Sequence, residues 1–381
     1  MSSNNTVDVG RIQASRHGNT HRVEATVNGV PLWFETANAP LSPSATALGT
    51  TLLPAALYHG RTLSFSDPFC RQWYQNLPAT MDRFEQWWRV AKRLPKTSAT
   101  PEWIDPACSQ TDSVGLFFTG GVDSFHSLIN APSTVTHLLY VIDYDVPPQA
   151  PQQLSGYEPH LRAIANQRGI KAIVLRSNLR RHPAFAGPSW QQSHGAALIG
   201  TGHLLENCLD QLIVSSSYSL FHPRPWGSHW LLDSLWSSQR LQITHFGEEC
   251  LRFNKVKTIV HDPLVQKYLR PCWNNPAGKV NCSTCEKCVR TQIVISACCD
   301  LHSFSAFDQS ESLVNRIERI RKIPSPGLIG VYEDFLSLDI PSATIEAIER
   351  LLKRSRASAI RKNARKQVQR WFLMGRASNI A

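Results

Sequence analysis

The chain has no run of 18 apolar residues, and its opening decapeptide, MSSNNTVDVG, has no apolar stretch. A bilayer-spanning helix needs about 20 consecutive apolar residues and a secretory leader needs an apolar core. Neither membrane insertion nor export is therefore expected, and the cytoplasm is the expected compartment. Also missing is a glycine-rich loop ending in Gly-Lys-[Ser/Thr], which disfavours γ-phosphate transfer of the kinase or GTPase kind. No internal repeat or low-complexity segment precedes the C-terminal part. That part itself lacks acid: residues 350 to 381 hold ten Lys/Arg and no Asp/Glu. The remainder carries 30 basic against 29 acidic residues, so the net charge of +11 belongs to the tail. Two readings stay open for it, a solvated basic face on a docking helix and a surface for RNA or another polyanion.

What is present centres on residues 114 to 129, VGLFFTGGVDSFHSLI. Val114 to Phe118 is apolar without alternation and too short for a helix, which suits a strand buried on both faces of a parallel sheet. Gly120 and Gly121 allow a sharp turn that points backbone N–H groups at an anion. Ser124 and the first turn of the following helix add donors and the positive end of the helix dipole. A carboxylate at Asp123 would repel a bare phosphate. It suits a site where it orders the loop or helps to hold Mg²⁺ bridging phosphates.

The hexad Thr119-Gly120-Gly121-Val122-Asp123-Ser124 resembles the PP-loop, Ser-Gly-Gly-x-Asp-Ser, of the N-type ATP pyrophosphatases. Thr119 replaces the usual Ser and keeps its hydroxyl. The resemblance implies cleavage of ATP between its α and β phosphates and adenylation of a substrate, with 119 to 124 as the ATP-binding segment and Mg²⁺ as its partner.

Along the chain, Val23, Ala25 and Val27 alternate before Asn28-Gly29, the favoured two-residue turn, so residues 21 to 36 read as a hairpin. Pro31 suggests an edge strand. Helices are expected at 45 to 58 and 69 to 90, and a short strand at 61 to 66; the tryptophans here read as core or docking surface. After a Pro/Thr/Ser-rich linker at 93 to 112, buried strands at 137 to 145, 171 to 176 and 212 to 218 alternate with helices at 154 to 168 and 194 to 209. That alternation implies α/β architecture with a doubly wound parallel sheet, whose ligands bind beyond the carboxyl ends of the strands. The implied division is an N-terminal α+β unit (1–110), a nucleotide-binding domain (111–265), a metal-binding segment (266–300) and a basic helical region (301–381) with helices expected at 305 to 322 and 344 to 374.

PP-loop proteins commonly carry an Asp-bearing loop after the fourth strand, and a Lys at the start of the helix after the next strand. Asp233, beside Ser228 and His229, and Lys255, with Arg252, match those positions. The resemblance thus implies catalytic roles for Asp123, Asp233 and Lys255, and nucleotide contact for Arg252. Read from their residue types alone, Lys255 is a solvated helix residue, and His229 and His245 are hydrogen-bonded core histidines.

The second strong pattern is Cys272-x9-Cys282-x2-Cys285-x2-Cys288. Four thiolates close a tetrahedral shell for Zn²⁺ or an iron–sulfur cluster, and the absence of other redox signals favours Zn²⁺. A disulfide pair or free thiols remain the bland alternative. Cys70, Cys108, Cys208, Cys250, Cys298 and Cys299 lack ligand spacing and read as core residues. A PP-loop followed by such a cluster resembles the 7-cyano-7-deazaguanine synthase family over about residues 112 to 295. Its implied chemistry is activation of a carboxylate or carbonyl, on a small molecule or a macromolecule, for attack by a nitrogen nucleophile. The substrate-ring pocket of that family has no residue-by-residue match here, and both ends of the chain are foreign to it. A tRNA-modifying PP-loop enzyme and a non-catalytic nucleotide-binding or defence-associated module are the alternatives. The first would need, for sulfur transfer, a redox-active cysteine pair that is not visible.

Overall fold

A computed structural model describes residues 5–100, 102–104, 112–145, 157–272, 274, 276 and 278–358. In chain order the strands are β1 (Thr6–Val9), β2 (Gln13–His17), β3 (Thr20–Val27), β4 (Val30–Thr36), β5 (Thr62–Phe65), β6 (Phe69–Cys70), β7 (Lys96–Thr97), β8 (Trp103–Ile104), β9 (Val114–Phe117), β10 (His137–Val141), β11 (Lys171–Ser177), β12 (Gln211–Ser215) and β13 (Gln242–Phe246). The chain divides into two compact units, Met1–Ile259 and Val260–Ala381.

Asn28 and Gly29 both take positive φ, 49° and 80°, so the β3–β4 hairpin closes on a two-residue turn with Val27 opposite Val30. Such a turn matches the right-handed twist of its strands. β4 is nevertheless an interior strand, paired on its other side with β11. Pro31 tolerates this because the β11 ladder reaches only Phe34. Beyond that point the side chain of Asn178 donates to the Pro31 carbonyl and accepts from the Trp33 N–H. The edge that Pro31 signals is local.

Through the β4–β11 pair one eleven-stranded sheet forms, ordered β13-β12-β9-β10-β11-β4-β3-β1-β5-β7, with β2 added on β3. It runs across the expected boundary near residue 110. The five strands from β13 to β11 are mutually parallel. The architecture is therefore α/β with a mostly parallel central sheet, extended on one side by the N-terminal strands. β10 is shorter than expected. The chain leaves it at Val141 for a single helical turn, Ile142–Asp145, and Asp143 there accepts the Ser177 N–H.

The helices of this unit are α1 (Ala45–Tyr58), α2 (Arg71–Trp88), α3 (Val122–Asn130), α4 (Ile142–Asp145), α5 (Glu158–Arg168), α6 (Trp190–His203) and α7 (Arg252–Ile259). α1 is buried from Ala45 through Leu57, as an apolar helix without a polar face must be. It packs closely on α6: a Cβ at Gly200 would lie 2.6 Å from the Ala47 carbonyl and 2.1 Å from the Thr51 hydroxyl. Trp73 is fully buried with its indole N–H on Thr50 Oγ1 at 2.8 Å, a core role for that tryptophan. By the right-handed rule for parallel crossovers, this strand order assigns α3 and α5 to one face of the parallel strands and α6 to the other. Among the described residues no helix is long and apolar enough to cross a membrane.

The second unit contains α8 (Pro263–Tyr268), α9 (Glu286–Ser296), α10 (Leu313–Arg319) and α11 (Ile329–Asp334), with helical residues from 342 to 358. The helix expected over 305 to 322 shrinks to α10 because Asp308 accepts the Ser310 N–H and holds a turn, and Ser312 then caps Asn315. α10 buries Arg316 against α9, with its guanidinium on Gln292 Oε1 and the Asp308 carbonyl. Of the helix expected over 344 to 374, positions past 358 lie outside the described residues.

Candidate functional site

In the parallel half of the sheet the chain leaves β9 toward β10 on one side, whereas it leaves β12 toward β13 on the other. The carboxyl ends of β9 and β12 therefore flank a crevice, the place where such sheets bind ligands. Residues 118–121 follow β9 into α3. Gly120 has φ +74°, a left-handed conformation, and a Cβ there would lie 1.7 Å from the Tyr157 hydroxyl oxygen. Only glycine satisfies both the turn and the close approach of that ring. Gly121 is the extended N-cap of α3, no side chain caps the helix, and Ser124 Oγ donates to the Gly121 carbonyl at 3.0 Å. The first-turn N–H groups of this nine-residue helix lie beyond reach of any intrahelical carbonyl.

Lys255 arrives from α7, 132 positions away, and its Nζ stands 3.3 Å from Asp123 Oδ1 and 2.6 Å from the Ser216 carbonyl. Its side chain is only 3% exposed. An ammonium so buried needs partners. It offers three donors, of which these contacts use two; no described residue takes the third. Arg252 Nη1 lies 3.8 Å from Asp123 Oδ2. Two cations, Lys255 and Arg252, thus stand around the Asp123 carboxylate, with the charge of Glu249 near enough to act on the neighbouring His126.

One turn along α3, His126 stacks on Phe246 with ring centroids 5.5 Å apart. Burial and then the charge on Lys255 hold its pKa below the ordinary imidazole value, so it is neutral at pH 7. The sequence reading missed His126, Phe246, Tyr157 and the Ser216 carbonyl. His126 lies three positions past Asp123 in the loop motif, the one signal that could have found it.

Asp233 is placed differently. Fully buried, it accepts from Ser228 Oγ at 2.6 Å, from the His229 N–H at 3.0 Å and from His245 Nδ1 at 2.7 Å. Its partners are these three, and the structure does not bring it to Asp123 or Lys255. Burial first, and then His245, push His229 down to about 4.

A cavity of about 590 Å³ opens at the amino ends of β12 and β13, lined in part by Gln72, Glu206, Asp210 and Arg240. It lies at the opposite end of those strands from residues 119–124, and the donors of that loop have no part in it.

In the second unit the Sγ atoms of Cys272, Cys282, Cys285 and Cys288 all lie within 4.8 Å of one another. Zinc–sulfur bonds of about 2.3 Å in a tetrahedron put sulfurs about 3.8 Å apart, and Cys282 and Cys288 are 3.9 Å apart. Backbone N–H groups of Asn274 and Cys282 point at Cys272 Sγ, and that of Cys285 at Cys282 Sγ, each at 3.3 Å. Donors aimed at sulfur favour the thiolate. Hydrogen bonding led by Cys272 pushes Cys282 far below the ordinary thiol range and Cys288 far above it, the conflict expected of four thiols crowded together. A soft dication would resolve it, so the donor set fits Zn²⁺.

Asn281, which spacing alone does not reveal, fixes the frame. It accepts the Cys272 N–H and donates to the Leu269 and Ala306 carbonyls. Cys70, Cys208, Cys250 and Cys299 form no disulfide, and Cys108 lies outside the described residues. Comparison of the chain with protein-family models, curated proteins and solved structures finds no match.

Proposed function

We propose that this chain is an ATP-dependent, AMP-forming enzyme: it activates a carboxylate or carbonyl oxygen as an adenylate and lets a nitrogen nucleophile displace AMP. The observation that carries the reading is Lys255, a buried ammonium anchored by Asp123 and the Ser216 carbonyl, with one donor left over beside the Thr119 to Ser124 loop. N–H groups of the loop would take the β and γ phosphates. That leaves the α phosphorus open to the incoming oxygen and makes pyrophosphate the held leaving group. Negative charge builds on the α–β bridging oxygen in that transition state. A fixed cation there acts without reorganising, an effect worth on the order of 10²–10³ in rate for one well-placed group.

Asp123, a quarter exposed at its side chain, is the carboxylate that would share Mg²⁺ with the phosphates. The four-cysteine centre would hold Zn²⁺ as a folding element, since thiolates fill its shell and leave no open position for substrate. The reading is tested by incubating the protein with Mg-ATP, a low-molecular-weight cell extract as acceptor source and ammonium, then separating the nucleotides. AMP with pyrophosphate is the expected pair. ADP as main product sinks the reading, and ATP binding without any turnover makes the chain a nucleotide-binding module.

A further inference from the structure

We infer that His245 accepts the proton released when the nitrogen nucleophile attacks, and that Asp233 is the residue that positions it; this rests on the adenylating reading above. His245 is the penultimate residue of β13. The next carbonyl, of Phe246, accepts the Ser216 N–H at 2.8 Å, and the Ser216 carbonyl accepts Lys255 Nζ. Two backbone links thus join the histidine to the phosphate site. Side chains alternate along a strand, so Phe246 meets His126 of α3 while His245 turns to the other face, toward the Ser228 to Asp233 turn.

The ring is oriented as a proton acceptor would be. Asp233 Oδ2 stands opposite Nδ1 at 2.7 Å as its acceptor, an arrangement that puts the hydrogen on Nδ1 and leaves Nε2 with its lone pair. That Nε2 is buried and has no hydrogen-bond partner, in a side chain 4% exposed. His203 shows what a purely structural histidine looks like in the same unit. It bonds a neutral carbonyl, that of Trp236, through Nε2, and burial pushes it down to about 4 because nothing nearby would hold its imidazolium. His245 has a carboxylate in that place, itself held by the Ser228 hydroxyl and the His229 N–H. The half-buried Trp230 ring stands edge-on 6.4 Å from His245, and it would have to give way for the acceptor to reach Nε2.

The step balances with ammonia as nucleophile. Nitrogen bonds to the acyl carbon, the bond from that carbon to the AMP oxygen breaks with its electron pair leaving on the phosphate, and the proton shed by nitrogen goes to Nε2. The imidazolium then pairs with Asp233. A positioned proton acceptor contributes about 10²–10⁴ in rate.

The test separates the two half-reactions, with labelled pyrophosphate exchange into ATP reporting adenylation and amide-coupled AMP release reporting transfer. The acceptor source is the low-molecular-weight extract. His245→Gln should keep exchange within about twofold of the parent and lose at least about 100-fold in transfer to ammonia. Hydroxylamine, a nucleophile that sheds its proton more readily, should recover most of that loss. Asp233→Asn should show the same split. Equal loss in both halves, or no loss in either, overturns the assignment. Should both variants misfold, ¹⁵N imidazole spectra of the parent chain decide: an Nε2–H tautomer at His245 overturns it, and the Nδ1–H tautomer supports it. Absence of exchange in the parent itself defeats the adenylating reading, and this inference with it.

Discussion

The two candidate centres are assembled in opposite ways. The cysteine centre is local: its four ligands fall within residues 272–288, and one buried amide, Asn281, ties the segment to the Leu269 and Ala306 carbonyls. The Asp123–Lys255 site is collected, since Asp123 from α3, Ser216 just after β12 and Lys255 from α7 meet only because the sheet orders β12 beside β9. A local centre stands or falls with its metal. A collected one stands on a fold that survives the loss of any single member, so it should fail in rate before it fails in structure.

The largest expected effect follows from the first half of that contrast. Structural zinc contributes on the order of 10 kcal/mol or more to the fold that holds it, which is comparable to the whole stability of an ordinary domain. Cys285→Ser, or chelation, should therefore remove about one zinc per chain and open the second unit to protease after residue 260, while the first unit stays resistant. Metal-free protein whose second unit resists protease as before would break the comparison.

Lys255→Ala tests the other half. Turnover should fall by about 10²–10³ with ATP affinity changed far less, because the lost charge acts on the leaving group in the transition state. Thermal unfolding of the first unit should barely shift. Asp123→Asn should behave alike. A large drop in melting temperature with each variant would mean that the cluster is a structural ion pair.

The same contrast explains what was legible in the sequence. A ligand set at fixed spacing and a turn such as Asn28-Gly29 are short-range features, and the structure has the four sulfurs together and the hairpin closed. The strand–helix alternation told of an α/β fold. Pairings over long separations left no trace: β4 pairs with β11 and so joins the N-terminal strands to the parallel ones, and the Thr36 hydroxyl donates to the Val174 carbonyl 138 positions away. Residue type could not tell that Asp233 would be enclosed by its own turn, nor that Tyr157 would close on Gly120, since both depend on where β13 and α5 dock.

The basic tail is reduced by the same kind of long-range contact. Arg350 and Arg354 both pair with Glu318, and Arg356 with Glu333, while Ala347, Ile348, Leu351 and Leu352 are buried. Cutting before residue 350 would remove core as well as charge. Truncation after residue 358 is the cleaner experiment and deletes Arg361, Lys362, Arg365, Lys366, Arg370 and Arg376. If those six contact phosphates, binding to RNA should fall with log salt at a slope of about −4 to −5, and the truncated chain should lose that slope. Equal RNA binding by both chains would leave the tail without a polyanion role.

The smallest effect is at the other end of the same strands, and it asks whether topology or mere pKa perturbation marks the site. Burial pushes the Glu206 carboxyl up to about 7, with Arg240 and a hydrogen bond to Ser44 pulling the other way. A carboxyl near neutrality beside a polar cavity is a common signature of acid–base chemistry. Yet it lies at the amino ends of β12 and β13, where the doubly wound arrangement provides no crevice. If the phosphate site works because the carboxyl ends were brought together, Glu206 affects stability alone. The folded carboxyl holds its proton more tightly than the unfolded one. Its contribution is then full below the ordinary value of 4.5, falls as pH rises toward about 7, and is level above that. Glu206→Gln should flatten that slope and raise stability at pH 8 by about 1–3 kcal/mol, read by urea unfolding at a series of pH values. AMP-forming turnover should not change by more than about twofold. A variant that loses turnover while gaining stability would place the chemistry at the amino edge.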